Sequence, residues 1–447
     1  MTAIPPDRRA SVFTRSPRSG SLLRVLAPLC LTMAGGARAL VAQVGPLPAD
    51  SAPALAVGED SVRPPAVKPK HARRPRPIRF CAGGDVTLGS NIPIVPPDTS
   101  PLGQLATPLP PPTPPRLPSS RRLLSPLRPL VRDADVVLLN VEGAIGEGEV
   151  TSKCGPRSTM CFALRQPPGA ATALRALNES AAIVGNVANN HSRDAGLAGF
   201  DTTLAWLARA GVFTTGADTL ATPVVTRHGD TIAVLGFATS GIGIPDLRDL
   251  EAVRRHVARA AEQYARVVVT MHLGAEGRDA QRTRDTVELY AGGNRGNPVE
   301  FARTAVEAGA DLVVGHGPHV MRAMEWRGDA LVMYSLGNLV TYGPFSNRPP
   351  LDRGAVVCAT LDRRGVPSHV VMRATRQHGA GWVARDRARR AAFLVDSLSR
   401  LDFPRTGARV RADGQVSRPP VTKQKKRKKA TAQPPKKTAA ETVRPAA

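Results

Sequence analysis

One apolar run of the sequence, residues 182–187, is soon followed by Asn190, His191 and Asp194. Histidine can transfer a proton near neutral pH, a carboxylate can orient its ring, and an amide oxygen can bind a cation. These residue types in this order are therefore typical of a catalytic or metal-binding site. The alternative is a turn that ends in an aspartate helix cap, which often joins a strand to a helix.

Similar residues follow other apolar runs of the chain. At or just after the ends of the runs at 78–82, 136–139, 267–272 and 312–315 stand Asp85, Asn140 with Glu142, His272, and His316 with His319. Helical patterns at residues 198–210, 250–265 and 298–308 lie between several of the runs. Strands that alternate with helices predict a layered α/β domain, in which functional groups collect at the carboxyl ends of the strands. Oxygen and nitrogen side chains at all these ends, on one edge, predict a divalent-metal site.

The positive charge is concentrated in the two flanks of the 447-residue chain. Residues 1–77 carry 12 Lys and Arg against 4 Asp and Glu, and residues 401–447 carry 13 against 3, out of a net charge of +25. These flanks are too poor in apolar periodicity to fold, so we expect a Pro-rich basic linker at 43–77 and a disordered tail at 401–447. The folded domain is placed at residues 78–400, with an extended Pro-rich insertion at 92–120.

The first 42 residues have the features of an export signal. Arginines precede a short apolar run at 25–36, and Ala37-Arg38-Ala39 offers a small-residue cleavage site. We expect export to the periplasm or the cell surface, and an uncleaved signal would instead anchor the chain in the membrane. Behind an export signal, the basic tail favours an anionic surface polymer or lipid headgroup over nucleic acid as a partner, or else it only solubilises the chain.

Four cysteines remain if Cys30 leaves with the signal. Cys154 and Cys161 enclose a Gly-Pro turn, and in an oxidising compartment this spacing predicts a local disulfide. Cys81 and Cys358 lie inside apolar, strand-like segments and are predicted to be buried small hydrophobic residues. No cysteine has the spacing of a zinc site.

Several short motifs follow one another between about residues 78 and 375. They are Gly84-Asp85, Asn140-Val-Glu142, ANNHSRDAG at 188–196, HLGAE at 272–276, GADLVVGHGPH at 309–319 and YSLGN at 334–338. This ordered series resembles the CapA, or poly-γ-glutamate capsule biosynthesis, family, a branch of the calcineurin-like metallophosphoesterases. The resemblance implies the four-layered α/β/β/α sandwich of those enzymes, with a metal centre between two sheets.

The resemblance also implies a role for individual residues. His191 and Asp194 match the catalytic dyad of nucleotidase-like enzymes. The residues that match metal ligands are Asp85, Glu142, Asn190, His272, His316 and His319. Beyond the resemblance, Asn140, Glu276 and Asn338 are predicted substrate-binding or supporting positions; the alternatives are a loop carboxylate in water for Glu276 and a turn residue without substrate contact for Asn338. The cofactor is expected to be one or two divalent ions, with Mn, Fe, Zn and Mg equally compatible.

The first motif departs from the phosphoesterase pattern, because Asp85-Val86-Thr87 lacks the histidine of Asp-x-His. The Asp-x-Met form of the capsule family lacks that histidine too, so this departure supports the family and weakens the expectation of phosphatase activity. Three functions stay open. The chain acts in the synthesis, export or anchoring of an anionic surface polymer, it is a metal-dependent phosphoesterase or related hydrolase, or it is a non-catalytic binding domain.

Overall fold

The computed structural model describes residues 75–92, 116–148, 154, 161–239, 243–343 and 345–420. The predicted signal, nearly all of the predicted linker and most of the Pro-rich insertion lie outside these residues. Within them, no helix combines the length and the apolar character that crossing a membrane requires.

Strands and helices alternate along the chain. The strands are β1 Ile78–Leu88, β2 Val136–Val141, β3 Ala144–Ile145, β4 Arg165–Gln166, β5 Ala182–Asn186, β6 Phe213–Thr215, β7 Thr222–Val225, β8 Thr231–Ala238, β9 Val267–His272, β10 Leu289–Tyr290, β11 Gly293–Asn294, β12 Leu312–His316, β13 Met324–Arg327, β14 Ala330–Met333, β15 Asn338–Tyr342, β16 Arg353–Leu361, β17 Pro367–His378, β18 Trp382–Arg385, β19 Arg409–Val410 and β20 Val416–Ser417. The helices are α1 Ser120–Leu124, α2 Arg128–Val131, α3 Gly169–Arg175, α4 Gly196–Arg209, α5 Leu250–Gln263, α6 Pro298–Glu307 and α7 Arg390–Asp402, and a 3-10 turn spans Ser125–Leu127.

Two mixed sheets form the centre of the described part of the chain. The first has eight strands in the order β18-β17-β16-β1-β2-β5-β6, with β15 also paired to β1. The second has six strands in the order β13-β14-β12-β9-β8-β7. In the first sheet β15, β1, β2, β5 and β6 run parallel, and in the second β8, β9, β12 and β14 do. Parallel strands place their carboxyl ends on the same edge of a sheet.

Alternate residues of the central strands enter different layers of the core. In β2, Val136 and Leu138 pack between the two sheets, whereas Val137 and Leu139 face the helices α1 to α4. The other sheet packs its outer face against α5 and α6, through residues such as Val269. Because both faces of each sheet are covered, these strands appear in the sequence as continuous apolar runs. The layer order is helix, sheet, sheet, helix, and it confirms the predicted α/β/β/α sandwich.

The predicted strands are present, but the first has a different end. The sequence predicts that β1 ends before Gly83-Gly84-Asp85; instead β1 continues to Leu88 and pairs with β15 from Asp85 onward. A side chain at Gly84 would lie 2.0 Å from the carbonyl oxygen of Gly337, so only glycine permits this close approach. The prediction of one common edge was also wrong, since the functional residues lie at the strand ends of two facing sheets.

The described residues form two disulfides. The structure joins Cys154 to Cys161. We predict from the sequence that Cys81 and Cys358 are buried hydrophobic residues; both are buried, but a disulfide joins them as well. Cys81 of β1 and Cys358 of β16 stand opposite each other in an antiparallel pair. This strand pairing connects residues 277 positions apart, and no local pattern predicts it.

The folded domain extends beyond the predicted boundary at residue 400. Helix α7 continues to Asp402, and the β19–β20 hairpin follows it. The Met372 N–H donates to the carbonyl of Gly414, and the Trp326 indole donates to the carbonyl of Ser417. Residues 401–420 are therefore part of the fold and not of a disordered tail, and the chain after residue 420 lies outside the described residues.

Candidate metal centre

Four neighbouring strands of the first sheet place polar residues in one row. Strand pairing sets Asp85 of β1 beside Asn338 of β15 on one side and beside Asn140 of β2 on the other. Asn140 in turn pairs with Asn186 of β5. The row lies at the carboxyl ends of these parallel strands, where the sequence predicts functional groups.

The second sheet contributes histidines to the opposite side of the site. His272 and His316 are the last residues of β9 and β12 and are partners in the strand pairing. The chain then turns at Gly317 and Pro318, and His319 follows with a φ of 59°. A left-handed backbone is uncommon for a histidine, and such conformations concentrate at functional sites.

His319 links the two carboxylates of the first sheet. Its Nδ1 atom lies 3.3 Å from Oδ2 of Asp85, and its Nε2 atom lies 3.5 Å from Oε1 of Glu142. All three side chains are buried, and one donor atom from each lies within 4.8 Å of the others. Asp85, Glu142 and His319 therefore form the centre of the site.

The other two histidines each contact one of these carboxylates. Nδ1 of His316 lies 3.5 Å from Oδ1 of Asp85, and Nε2 of His272 lies 3.4 Å from Oε1 of Glu142. Ligands that share a cation at about 2.1 Å each stand about 3.0–3.5 Å apart. The His316–Asp85 and His272–Glu142 separations fall within this range.

Several buried polar atoms at the centre lack hydrogen bonds. Among the described residues, neither carboxylate oxygen of Glu142 and neither ring nitrogen of His316 has a hydrogen-bond partner. Nε2 of His272 and Oδ2 of Asp85 also lack a hydrogen-bond partner among these residues. Buried polar groups are normally satisfied, and buried carboxylates need a compensating charge. The residues present thus fit a divalent cation, which would satisfy these atoms together.

The clustered charges shift the pKa values of the central residues. Burial raises the pKa of Glu142 well above its usual range, and the nearby Asp85 carboxylate raises it further. Burial would lower the pKa of His319, but Glu142 and Asp85 outweigh it and raise this pKa to about 10. Burial would raise the pKa of Asp85, but the close contacts of its carboxylate with the His316 and His319 rings outweigh it and lower this pKa. The carboxylates thus attract positive charge, which a metal ion can supply in place of a proton.

His272 differs from His319 in its electrostatic environment. Burial lowers the pKa of His272 well below the usual value, and the nearby Arg295 guanidinium lowers this pKa further. His272 is therefore a neutral imidazole near neutral pH. This is the form of histidine that binds metal ions.

Asparagine side chains hold the central aspartate in place. The Asn140 amide donates to Oδ1 of Asp85 at 2.9 Å, and its own oxygen accepts from the amides of Asn186 at 3.1 Å and Asn189 at 3.2 Å. Asn140 is fully buried. It lies between Asp85 and the turn that carries His191, so its geometry is that of a supporting residue. Asn186 is a supporting residue that the sequence prediction missed.

Asn338 supports the centre from the opposite side. Its Oδ1 atom lies 3.0 Å from Nδ1 of His319, and its amide donates to the carbonyl of Leu351. Thr87 occupies the position where Asp-x-His would place a histidine. Its hydroxyl instead donates to the backbone carbonyl of Glu142 at 2.7 Å, so it stabilises the backbone that presents this carboxylate.

The predicted dyad is assembled in the turn after β5. Nδ1 of His191 lies 2.6 Å from Oδ2 of Asp194, and the same oxygen accepts the Leu164 N–H at 2.7 Å. The side chain of Asn189 accepts the His191 N–H and donates to the carbonyl of Val141, which precedes Glu142. This turn is therefore connected directly to the strand that carries the central carboxylate. Asn190, half-buried, lies in the same turn, and its role as a ligand stays a prediction.

A buried ion pair lies at another wall of the site. Oε2 of Glu276 lies 3.8 Å from Nε2 of His319, and Oε1 of Glu276 lies 2.7 Å from Nη2 of Arg295. The sequence predicts Glu276 as a supporting residue, but Arg295 was missed. Its one local signal is the sequence Gly-Asn-Arg-Gly-Asn at 293–297, which is typical of a turn.

Aromatic rings cover the remaining side of His319. Its ring centre lies 5.1 Å from that of Phe345, which in turn stacks on Phe162 at 5.7 Å. Phe162 remains 41% exposed and follows Cys161 of the short disulfide loop. The site therefore has an apolar wall and, at Arg295, a charged one.

The described residues thus form a four-layered α/β/β/α protein with a buried carboxylate and histidine centre between the strand ends of two sheets. The family model of the bacterial capsule synthesis protein PGA_cap matches residues 79–342, more than half of the chain, and the chain belongs to this family. The resemblance seen in the sequence is thereby confirmed.

Individual relatives agree with the family. The chain is 31% identical over 170 residues to the PGA biosynthesis protein CapA of Bacillus subtilis, a match that covers 35% of this chain and 41% of the relative. It is 30% identical over 220 residues to a probable polyglutamine synthesis accessory protein of Mycobacterium tuberculosis, covering 46% of this chain and 55% of the relative. The chain thus spans about half the length of the curated relatives that it matches.

A solved structure of a 5′-nucleotidase precursor from Thermus thermophilus shares 14% sequence identity with the chain. The match covers 67% of this chain and 54% of that one, with a TM-score of 0.35. The fold assignment rests on the layer order and strand pairing described above.

Proposed function

We propose that the chain is an exported protein of the cell envelope that acts in the synthesis, export or anchoring of an anionic polymer of the poly-γ-glutamate or capsule type. Membership of the capsule synthesis family supports the pathway. The names of the relatives from Bacillus subtilis and Bacillus anthracis, which refer to PGA and capsule biosynthesis, support it too. The export signal predicted from the sequence and the basic flanks agree with an anionic partner outside the cytoplasm.

The polymer is acted on at the metal centre. Residues that would hold one or two divalent ions are Asp85, Glu142, Asn190, His272, His316 and His319. Such an ion polarises a carbonyl or phosphoryl oxygen and makes water easier to deprotonate. The observation that carries this proposal is the buried group of Asp85, Glu142 and His319, whose donor atoms converge and in part lack other partners among the described residues.

The dyad supplies the proton transfer. The Asp194 carboxylate orients the ring of His191 through Nδ1, and Nε2 of His191 is the nitrogen that exchanges a proton with the substrate. The Asn189 side chain fixes the backbone of this turn and thereby the position of the ring. Protonated His191 donates to the leaving nitrogen or oxygen when the substrate bond breaks.

The test measures metal content and turnover in the same purified full-length protein. Metal is quantified by mass spectrometry after dialysis, and turnover is measured on poly-γ-glutamate and on bis(4-nitrophenyl) phosphate. We expect stoichiometric metal in the wild type, loss of metal in Glu142→Gln, and full metal in Glu251→Gln, whose carboxylate is 84% exposed. A wild-type protein without metal, prepared under conditions that retain added Mn²⁺ or Zn²⁺, would refute the metal centre.

A second candidate function is a metal-dependent phosphoesterase. The spacing of Asn190, His191 and Asp194 favours it, because this is the motif of nucleotidase-like enzymes. Cleavage of the phosphodiester but not of the polymer would select this candidate. Bound metal without turnover of either compound would select a binding domain.

A further inference from the structure

Arg295 lies at the wall of the metal centre, and the function proposed above does not use it. Its side chain is only 12% exposed and forms an ion pair with Glu276, which is 9% exposed. The other carboxylate oxygen of Glu276 faces His319 at 3.8 Å. A single carboxylate group therefore separates the guanidinium from the central histidine.

The donors of Arg295 are not fully used. Nη2 lies 2.7 Å from Oε1 of Glu276, yet neither Nη2 nor Nε makes a well-aligned hydrogen bond with any described residue. A guanidinium has five N–H donors in a fixed plane, and leaving buried donors without acceptors is costly. An additional anionic acceptor would satisfy these donors.

The backbone around Arg295 is held rigidly. Its N–H donates to the carbonyl of Glu288, and its own carbonyl accepts the N–H of Gly274, two residues before Glu276. The Glu288 carboxylate is in turn bound by Arg322, which is 1% exposed. A guanidinium fixed in this way loses little freedom when it binds a ligand, which favours selective recognition.

The charge of Arg295 reaches the centre itself. Its guanidinium lowers the pKa of His272, after the larger effect of burial, and it opposes the raised pKa of Glu142. On its outer side the guanidinium lies 5.8 Å from the ring of Tyr290. Arg295 therefore lies between Glu276, which faces the centre, and the exposed ring of Tyr290.

We propose that Arg295 binds a carboxylate that neighbours the reacting bond of the substrate, with Glu276 as its counter-ion in the free protein. This inference rests on the function proposed above and specifies its substrate class as an amide whose nitrogen carries a carbon bearing a carboxylate. A planar guanidinium recognises carboxylates by paired hydrogen bonds.

The position of Arg295 favours a substrate whose carboxylate lies beside the bond that is cleaved. It does not favour a substrate whose negative charge is on the reacting atom itself. In a phosphodiester the negative charge is on the reacting phosphorus group, which the central ligands and their cation would hold directly. Arg295 lies farther from the centre, because the Glu276 carboxylate stands between its guanidinium and His319. In a γ-glutamyl chain, the α-carboxylate is separated from the amide nitrogen by one carbon, so its charge lies beside the reacting bond and not on the reacting atoms.

The experiment compares two small ligands that differ in one group. N-acetyl-L-glutamate carries the α-carboxylate, and N-acetyl-L-isoglutamine carries an amide in its place. Their binding to the full-length protein is measured by calorimetry, with Mn²⁺ and again with EDTA. We expect the wild type to prefer N-acetyl-L-glutamate at least tenfold, Arg295→Met to lose this preference, and Arg295→Lys to keep part of it.

The matched control is Arg303→Met, because Arg303 forms an ion pair with Asp285 and is 40% exposed on α6. It should keep the full preference. Glu276→Gln removes the competing carboxylate and should bind N-acetyl-L-glutamate at least as tightly as the wild type. Weaker binding by Glu276→Gln would mean that the pair has only a structural role and would overturn the proposal.

Other outcomes are equally decisive. Equal binding of the two ligands by the wild type, or an unchanged preference in folded Arg295→Met, would overturn the proposal. Inorganic phosphate is added as a third probe. If Arg295→Met loses only the binding of phosphate, the group that Arg295 recognises is a phosphate, and the proposed carboxylate substrate is wrong. Absence of metal from the wild type refutes the proposed function separately, because the ligand preference is also measured with EDTA.

Discussion

His191 and Asp194 are joined within one turn, with Nδ1 of the histidine 2.6 Å from Oδ2 of the aspartate. The aspartate oxygen also accepts the N–H of Leu164, so its position is set by a second segment of the chain. Both side chains are buried. Such an arrangement fixes the orientation of the imidazole, which a group that transfers a proton requires.

His191→Ala should therefore separate catalysis from metal binding. If His191 transfers the proton and Asn190 holds a metal ion, His191→Ala should keep the bound metal and lose about 100-fold or more in turnover. Asn190→Ala should lose metal and, through it, activity. Metal analysis and turnover on the two substrates above provide the measurement. Full metal and full activity in both variants would mean that the dyad has no catalytic role.

Metal should stabilise the protein through Glu142. A cation that binds the folded state and not the unfolded state stabilises the fold, so chelation with EDTA should lower the melting temperature of the wild type. Added metal at a thousandfold excess over its Kd should restore about 4 kcal/mol. Glu142→Gln should remove this response, because a neutral amide cannot replace the charged carboxylate as a ligand of the cation.

Calorimetry with and without EDTA provides this measurement. Glu251→Gln is the control, and it should retain the full response to metal because its carboxylate is exposed. A wild type that melts at the same temperature in EDTA and in Mn²⁺ would contradict a structural contribution of the cation.

The central strands of the fold are predicted from continuous apolar runs in the sequence. The apolar run at residues 267–272 has the bounds of β9, because both faces of this strand are buried and nearly every residue is apolar or small. The ligand residues were found for the same reason, since His272 and His316 end such runs. Their division between two sheets was not predictable, because strand order depends on contacts that are distant in sequence.

Arg295 shows what local patterns cannot reveal. It lies in the long connection between β9 and α6, which has little apolar periodicity, and its importance comes from contacts with Glu276 and Gly274. The folded residues 401–420 were missed for a related reason. Their short strands are bound by distant partners such as Met372 and Trp326, so their own sequence resembles a basic tail.

The long-range disulfide should stabilise the fold more than the local one. Chain entropy in the unfolded state falls more when a disulfide closes a longer loop, and the separations are 277 residues for Cys81–Cys358 and 7 for Cys154–Cys161. Replacing Cys81 and Cys358 together by Ala should cost roughly 2–5 kcal/mol, and the corresponding change at Cys154 and Cys161 should cost less. Urea unfolding of the two double variants tests this order, which the opposite ranking would contradict.

Asp311 should make stability depend on pH. Burial raises its pKa to about 7 in the folded protein, from a usual value near 3.9 when unfolded. The folded state therefore holds a proton that the unfolded state releases, so the contribution of Asp311 is unchanged below about pH 4 and becomes unfavourable as pH rises to about 7. Asp311→Asn should gain stability relative to the wild type at pH 8 but not at pH 4.

Urea unfolding at both pH values provides the test of Asp311. The Asn oxygen can still accept the N–H of Val267, which the Asp311 carboxylate accepts at 2.7 Å, so the variant preserves this contact. Asp329→Asn is the control, since the Asp329 side chain is 79% exposed. An equal effect of Asp311→Asn at pH 4 and pH 8 would show that its carboxyl group does not titrate in this range.

The position of the carboxyl-terminal boundary gives the last prediction. A chain of residues 75–420 should fold and melt within a few degrees of the full-length protein, because it retains every described contact. A chain that ends at residue 400 loses the buried Val410 and Val416, and each buried valine contributes about 1.5–3 kcal/mol. It also loses Asp402, which pairs with Arg282 and accepts the Thr283 N–H. We therefore expect the shorter chain to aggregate or to melt far below the chain that ends at residue 420. Equal melting temperatures, measured by calorimetry, would show that residues 401–420 do not contribute to the folded core.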